Sequence, residues 1–576
     1  MNFYMKKYFI ILSVVMFSYT GCSDVLEKYP LDKPSRETFY TNATEIRNGI
    51  NACYSFLMTE SNDRTYIFPV VLDCMSDEGY PRQTSDQQTI ARGEHTTNTG
   101  LISTAYNRAY MGIGRCNTML QVIDEKASLL TDAQIKQYKG EALFLRAYYY
   151  TKLVTYFGDI PLVLAPVKTI AEASTIARTP KEKVIEQILK DYTDAAGLLV
   201  PSYSAASDKG RATSGAANAF KARAALYFGK YDVAAAAAKA VIESGVYRLY
   251  PKFGDLFLPA GLWDANNKEL ILLREFSAAI NDYHQIPQYF LTRNLGGWAC
   301  LVPSQSLIDS YDCTDGKNIA ESPLFDKTKP FENRDPRLKL SFLVPGERFG
   351  AFQYESHYDS TTCYNYVTGT RVTNNDCYHI NQYTSYTGYY PKKYNDVNYS
   401  NKLTQGDYPL ILCRYGEVLL IYAEAKVELN QIDQSVIDAI NSLRRGRDDV
   451  KMPEYTLSDF NDQNKARLKV RHERKVELAF EGFRYTDIRR WGWAAKYANQ
   501  PILGRPFLGS YADWPKVTFD ENGEPQYPGY QSYVPHPSKD YRVVENRLFT
   551  VGKHELWPIP EREMLLNPNL TQNPGY

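Results

Sequence analysis

The stretch that decides the fold class runs GEALFLRAYYYTKLVTYFG over residues 140–158. Its apolar side chains recur at steps of three and four residues, which is the spacing of one face of an α-helix. Gly158 can adopt the positive φ that ends a helix, and Pro161 lacks the N–H that would continue it. The pattern therefore predicts a strong helix that ends at residue 158.

Two helical hairpins are predicted further along the chain. The first joins residues 214–228 to 232–243 through Gly229-Lys230-Tyr231, with Asp232 as the expected N-cap, and the second joins residues 415–429 to 434–445. Small residues in the first pair allow close approach of its helices, and the arrangement resembles a tetratricopeptide hairpin. Further helices are predicted over residues 42–58, 102–120, 181–199 and 470–490, so the expected fold class is mainly α.

Between residues 250 and 405 helical periods become rare, and Gly, Asn, Thr and Tyr become frequent. The chain contains 47 tyrosines, and many of those in this part stand outside any helical pattern. Long loops are usually functional or disordered, and aromatic content argues against disorder. We therefore expect a helical region over 22–249, a loop-rich, tyrosine-rich insertion over 250–405, and a helical region with a tail over 406–576. Residues 76–100 show no apolar period and are predicted to form an exposed loop.

A basic and then apolar segment opens the chain. Two lysines precede an apolar run from Tyr8 to Tyr19, and small residues then lead to Cys22. This order is typical of a secretory signal over residues 1–21, and the run is short for a membrane span. Small residues directly before a cysteine resemble a lipobox, which predicts a lipid anchor on Cys22. An ordinary signal peptide with an incidental cysteine is the alternative.

Charge and motif content exclude several classes of function. Lys+Arg and Asp+Glu are both 66, so the chain has no basic excess for nucleic acid. It contains 7 histidines, and it has no nucleophile elbow, no phosphate-binding glycine loop and no His-Glu-x-x-His motif. We therefore predict no catalytic residue and no cofactor, and a metal site stays an open question.

Three carboxylates on one predicted helix, Glu473, Glu477 and Glu481, raise the question of a glycosidase. That chemistry needs two carboxylates on facing elements about 5 to 9 Å apart. Carboxylates spaced at i and i+4 among arginines are better explained as ion pairs and helix caps. The predicted role of these three side chains is therefore structural.

The chain has 9 cysteines, one of which is Cys22. None forms a CxxC pair or a His/Cys pairing with the spacing of zinc ligands. Cys300/Cys313 and Cys363/Cys377 lie in loop-like stretches, and each pair could form a disulfide in an exported protein. Spacing alone does not fix the geometry, so the bridged and the free states both stay open.

Four segments of the chain carry a family resemblance. They are GEALFLRAYYYTKLVTYFGDIPLV (140–163), YPLILCRYGEVLLIYAEAKVELNQ (408–431), VRHERKVELAFEGFRYTDIRRWG (470–492) and LWPIPEREMLLNPNLTQNPGY (556–576). In this order, behind a lipobox, they resemble the SusD/RagB family of outer-membrane nutrient-uptake lipoproteins. The resemblance implies tetratricopeptide-like helical pairs that carry an irregular ligand-binding part. It also implies a place on the outer membrane, exposed at the cell surface, over a SusC-like TonB-dependent transporter.

The resemblance further implies a function, namely the capture of oligosaccharide or polysaccharide and its delivery to that transporter without catalysis. Peptide capture is the alternative within the family. A surface glycoside hydrolase and a helical scaffold that binds only protein are the alternatives outside it. The resemblance also implies that Arg484, Asp487 and Arg490 tie the last helices to the tail.

The candidate ligand-binding residues come from the resemblance. Members of the family bind ligand with the loop after the first helices and with a stretch before a mid-chain Pro-Ser. The corresponding candidates here are Asp77, Tyr80, Arg82, Tyr283, Tyr289 and Trp298. Trp and Tyr faces stack on sugar C–H surfaces, and Arg and Asp bond hydroxyl groups. For each residue, packing within its loop is the alternative.

Overall fold

The computed structural model describes residues 39–58, 70–82, 85–203, 208–531 and 538–576. The predicted signal peptide (1–21) and Cys22 lie outside these residues. The helices are α1 Ala43–Cys53, α2 Val70–Cys74, α3 Asp86–Ala91, α4 Gly100–Glu125, α5 Asp132–Phe157, α6 Ile170–Ala173, α7 Lys181–Leu198, α8 Ser214–Tyr227, α9 Tyr231–Glu243, α10 Phe253–Leu256, α11 Pro259–Leu262, α12 Ile286–Phe290, α13 Gln305–Asp309, α14 Pro336–Ser341, α15 Tyr415–Glu428, α16 Gln434–Arg445, α17 Gln463–Glu477, α18 Arg484–Arg490, α19 Ala494–Tyr497 and α20 Glu561–Leu566. The strands are β1 Gly79–Pro81, β2 Leu270–Arg274, β3 Leu301–Pro303, β4 Phe342–Leu343, β5 Arg348–Phe349, β6 Phe352–Gln353, β7 Thr362–Asn365, β8 Thr370–Thr373, β9 Tyr390–Pro391, β10 Leu410–Arg414, β11 Ile502–Gly504, β12 Thr518–Phe519, β13 Pro525–Gln526, β14 Tyr530–Gln531 and β15 Tyr541–Glu545.

The long helices form the body of the molecule, and the predicted helix over 140–158 is the second half of α5. This helix packs against α4 and α7 and begins at a capping box between Thr131 and Gln134. It ends where the sequence predicts, because Gly158 takes a φ of +71° that other residues rarely adopt. Leu145 and Tyr149 of its predicted apolar stripe are fully buried, and so is Glu141 on another face, so this part of the helix is packed on nearly all sides.

Both predicted hairpins are present, as α8–α9 and α15–α16. Helix α9 packs against α15, so the two pairs lie against each other. Ala234 and Ala238 are fully buried, which allows the backbones to approach closely. The predicted N-cap at Asp232 is wrong, because α9 begins at Tyr231 with Lys230 at its cap. Asp232 lies in the first turn instead, where a carboxylate is favoured by the helix dipole.

The single helix predicted over 470–490 is two helices, α17 and α18, with a break between them. Phe480 and Gly482 take φ values of +61° and +87° in this break. The carboxylate of Asp73 accepts hydrogen bonds from the backbone N–H groups of Gly482 (2.6 Å) and Arg484 (2.9 Å). The local sequence pattern does not predict this break, because Asp73, which binds its backbone, lies 409 residues before Gly482.

The region over 250–405 contains several small sheets of short strands. Strands β5 to β8 form a four-stranded antiparallel sheet, and β4 pairs with β9. The antiparallel pair β2–β10 joins the start of this region to the chain just before α15. The proposed domain boundaries at 249 and 405 stay predictions.

The prediction of an exposed loop over residues 76–100 is wrong. Strand β1 and helix α3 lie within it, and Ser76, Glu78, Tyr80 and Gln88 are buried. Strand β1 pairs antiparallel with β3, which lies more than 200 residues further along the chain, with Tyr80 opposite Val302. The pairing satisfies the backbone groups of this short strand, and the sequence pattern around it does not show its distant partner.

As predicted, the three carboxylates form buried ion pairs, namely those of Glu473, Glu477 and Glu481. Their partners lie on other elements of the fold and not on neighbouring turns of the same helix. Arg337 and Arg444 bind Glu473, while Arg337, Arg414 and Arg447 bind Glu477. Lys393 and Arg414 bind Glu481. Through Glu473 and Glu477 these contacts join α17 to α14, α16 and β10. Through Glu481 they join the break after α17 to β10 and to the chain after β9.

The four cysteines considered for disulfides are free, buried thiols. Cys313 packs in a cluster around Trp514 and Tyr541, whereas Cys300 lies beside the Arg82 guanidinium. The Cys377 thiol donates to the backbone oxygen of Tyr358 at 3.0 Å. The two proposed bridges are therefore absent from this structure.

Candidate ligand-binding site

Three of the six predicted ligand-binding residues meet in one open cleft. Tyr80 lies on β1 and Arg82 directly follows that strand, while Trp298 precedes β3. The β1–β3 pairing brings the two segments side by side, and the Arg82 N–H donates to the Cys300 oxygen at 2.6 Å. The cleft that they line has a volume of about 550 Å³.

Five further residues complete the lining, namely Gln88, Arg92, Arg293, Tyr383 and Tyr386. Tyr383 and Tyr386 belong to the predicted tyrosine-rich insertion, but they are not among the six predicted ligand-binding residues. Nothing in the local pattern marks Gln88, Arg92 or Arg293, which only the tertiary fold brings into the cleft.

The aromatic side chains offer flat faces to the cleft. Trp298 is 38% exposed and Tyr383 is 64% exposed, which is unusual for side chains of this size. Tyr80 and Tyr386 are stacked, with ring centroids 5.8 Å apart and an interplanar angle of 16°. Exposed aromatic rings beside a stacked pair are suited to bind the apolar faces of a polar ligand.

Polar groups stand between these rings. The Arg82 guanidinium carbon lies 5.7 Å from the ring centroids of both Tyr383 and Tyr386. The Gln88 amide donates to the Tyr80 hydroxyl at 3.2 Å. Burial raises the pKa of Tyr80 to about 12, so its phenol stays protonated at neutral pH.

The other three predicted residues have different positions. The Asp77 carboxylate receives two hydrogen bonds from Arg484, at 2.9 and 2.7 Å, and so it is engaged within the protein. Tyr289 is 3% exposed and stands edge-to-face against Trp298 at 5.9 Å, so it supports the platform from below. Tyr283 is not among the residues that line the cleft and adjoins the bridge between His284 and Gly406.

The signature arginines act within the scaffold. Arg484 binds Asp77 and also Glu524 (2.9 Å), which belongs to the tail, as predicted. Arg490 binds Glu424 of α15 at 2.6 and 2.7 Å, so it ties α18 to another helix rather than to the tail.

A second cavity is larger, at about 720 Å³, and lies between α4, α6 and α20. Its lining is mostly apolar and includes Met111, Val167 and Ile170. We place the candidate site in the smaller cleft, because that cleft combines exposed aromatic faces with hydrogen-bond donors, as polar ligands require.

Within the described ranges, no group of three or more His, Cys, Asp or Glu side chains is placed to hold a metal ion. None of the eight residues that line the cleft carries a carboxylate. No helix among the described residues is both long and apolar enough to cross a membrane.

The helical pairs and the open cleft define a mainly helical protein with an aromatic, hydrogen-bonding cleft on its surface. Comparison with known families makes this specific. A family described as the SusD family matches residues 268–576, and a second, described as starch-binding and associating with the outer membrane, matches residues 26–226. The chain belongs to the SusD family, and the predicted mainly α, SusD-like fold is confirmed.

Individual relatives agree with this assignment. A SusD-like protein of Formosa agariphila is 26% identical, over 99% of this chain and 100% of its own length. The crystal structure of a SusD-like carbohydrate-binding protein from Bacteroides fragilis is 28% identical, with a TM-score of 0.77 over 93% of this chain and 100% of that one. A laminarin-binding SusD-like protein shares the fold at 19% identity, with a TM-score of 0.63 over 93% of this chain and 100% of that one.

Proposed function

We propose that the protein captures oligosaccharide or polysaccharide at the cell surface in the Trp298 cleft, and delivers it to a SusC-like TonB-dependent transporter without cleaving it. The observation that carries the proposal is the exposed face of Trp298 beside Tyr383 and Arg82. The carbohydrate binding of the family, together with the 28% identical relative, supports saccharide over peptide as the ligand.

Weak binding is expected from this geometry. Each aromatic platform contributes on the order of 1 kcal/mol beyond burial, so two or three platforms give micromolar to millimolar dissociation constants. Weak affinity of this kind suits a protein that must release its ligand to a transporter. The absence of a carboxylate pair from the lining residues supports binding without hydrolysis.

Trp298→Ala is expected to abolish detectable binding of any glycan that the wild-type protein binds on a glycan and peptide array. The substitution removes an exposed face of the cleft, so the melting temperature should stay within about 2 °C of the wild type. Trp263→Ala is the matched control, because Trp263 is 55% exposed and is not among the residues that line the cleft.

Three outcomes of this experiment contradict the proposal. Unchanged binding by Trp298→Ala would place the site elsewhere. Peptide hits without glycan hits would favour the peptide-binding alternative. Shortening of a bound oligosaccharide by the purified protein, detected by mass spectrometry, would show an enzyme.

Cys22→Ser is expected to abolish incorporation of labelled palmitate and to move the protein from the membrane fraction to the soluble fraction. More than one acyl chain is needed for stable anchoring, and Cys22 is the residue proposed to carry them. Cys53→Ser is the control, since Cys53 is a buried free thiol. Membrane retention of a Cys22→Ser protein without label would contradict the lipid anchor.

A further inference from the structure

Among the described residues, three arginines and no acidic side chain line the Trp298 cleft. The side chains of Arg82, Arg92 and Arg293 are half-buried, so each guanidinium borders the cleft while remaining accessible to solvent. Gln83 and Thr84, which follow Arg82, carry no charge. The chain as a whole has equal numbers of acidic and basic residues, so this local excess does not reflect its composition.

Two of these guanidiniums bind neutral protein atoms. The Arg82 side chain donates to the backbone oxygens of Ala299 (3.2 Å) and Trp298. The Arg293 side chain donates to the Gly297 oxygen at 2.9 Å. Carbonyl oxygens orient a guanidinium without neutralising its charge, and in the described part of the chain neither arginine has a carboxylate partner in an ion pair.

The carboxylates bonded to residues of the cleft are buried and already bound. Glu545 is 5% exposed, accepts a hydrogen bond from Arg92 (3.0 Å) and forms an ion pair with Arg547 at 2.8 Å. Asp376 is 1% exposed and accepts from the Arg293 backbone N–H at 2.7 Å. Burial also raises the pKa of Asp376. Positive charge therefore remains in excess at the cleft.

We infer that the ligand of this cleft is an anionic saccharide, whose carboxylate or sulfate groups bind Arg82 and Arg293 while its sugar rings stack on Trp298 and Tyr383. The inference rests on the proposed function and names the class of its ligand. The guanidinium fork matches the oxygens of a carboxylate or a sulfate, and Arg82 lies directly beside the Tyr383 and Tyr386 rings. One sugar unit can therefore contact a charge and a ring at once.

Titration calorimetry on the full protein in mild detergent tests this inference with matched polymers. Oligogalacturonate is compared with its methyl ester, and dextran sulfate with dextran. We expect the charged member of at least one pair to bind about tenfold or more tightly than its neutral partner, because a hydrogen bond to a charged group is stronger than one to a neutral group. The pair that responds distinguishes carboxylate from sulfate. Raising the salt concentration should reduce the preference, because exposed charges are screened.

Variants locate the charge preference in the cleft. Arg82→Gln and Arg293→Gln should each reduce binding of the charged polymer about tenfold, with little effect on any binding of the neutral one. Arg82→Lys keeps a charge and should retain part of the preference. Arg348→Gln, at an exposed arginine outside the cleft, is the control. Each variant should keep the wild-type melting temperature, because the guanidiniums have no carboxylate partners to lose.

The outcomes separate this inference from the proposed function. Equal or tighter binding of the neutral polymers, lost in Trp298→Ala, would overturn the charge preference and leave glycan capture standing. A charge preference that survives in the Arg82→Gln/Arg293→Gln double variant would also overturn the inference. A protein that binds none of these polymers and no glycan of the array would contradict both.

Discussion

Arg414→Met is expected to lower the free energy of unfolding by about 3 to 5 kcal/mol, the cost of leaving buried charges without their partner. Arg414 is 1% exposed and binds three carboxylates. Its nitrogens lie 2.9 Å from Glu269, 2.8 Å from Glu477 and 2.7 Å from Glu481. Methionine fills a similar length but donates no hydrogen bond, so three buried acids lose a partner at once.

The lowered pKa values of Glu477 and Glu481 indicate that the cluster favours their charged forms. Burial by itself would raise the pKa of Glu477, but the guanidiniums of Arg447, Arg414 and Arg337 outweigh burial and hold the pKa well below its usual range. The pKa of Glu481 is lowered in the same way by Arg414 and Lys393. Removing Arg414 should therefore raise both pKa values towards the usual range.

Guanidinium chloride unfolding, followed by circular dichroism, measures the change. Arg445→Met is the matched control, because the Arg445 side chain is 52% exposed and its ion pair with Glu454 spans 3.8 Å. Exposed pairs contribute about 0 to 1 kcal/mol. Equal losses in the two variants would contradict a structural role for the buried cluster. In a Glu477→Gln/Arg414→Met cycle, the double variant should lose less than the sum of the single losses.

The same cluster shows what the sequence could and could not predict. Periodicity alone predicted the long helices and both hairpins, because each helix has to bury an apolar face whatever its partner is. The i, i+4 acids on α17 were correctly predicted to form ion pairs. Their partners were not predictable, since Arg337 and Arg414 come from distant elements that a local pattern does not join to α17.

The residues of the candidate site were likewise only partly predictable from the sequence. Tyr80, Arg82 and Trp298 were predicted and meet in the cleft, because the two segments that carry them are paired as strands. Asp77 does not line the cleft, and its carboxylate binds Arg484, which lies 407 residues further along the chain. Arg293 could not have been chosen, since only the fold places it opposite the tyrosine-rich run. The types of residue in these segments indicated a site for a polar ligand. Which residues line the cleft is decided by long-range contacts that the sequence pattern does not show.

Trp557→Ala is expected to lower the free energy of unfolding by about 3 to 5 kcal/mol, the usual cost of truncating a buried aromatic side chain to alanine. Trp557 lies in the C-terminal signature segment and is 1% exposed. Its ring stacks on Tyr156 of α5 at 4.3 Å and 17°, and its indole N–H donates to the Tyr485 hydroxyl at 2.8 Å. One side chain thus joins the tail to α5 and to α18.

The same unfolding assay tests this prediction. Leu565→Ala is the control in the same segment, because Leu565 is 78% exposed and its truncation should change stability by about 0.5 kcal/mol or less. Trp557→Phe should lose less than Trp557→Ala, since phenylalanine restores most of the stacking but leaves the Tyr485 hydroxyl without its donor. If Trp557→Ala were as stable as Leu565→Ala, the packing of the tail would contribute little to the stability of the fold. A loss of the expected size would show instead that the last residues of the chain complete the helical core against which the ligand-binding region is held.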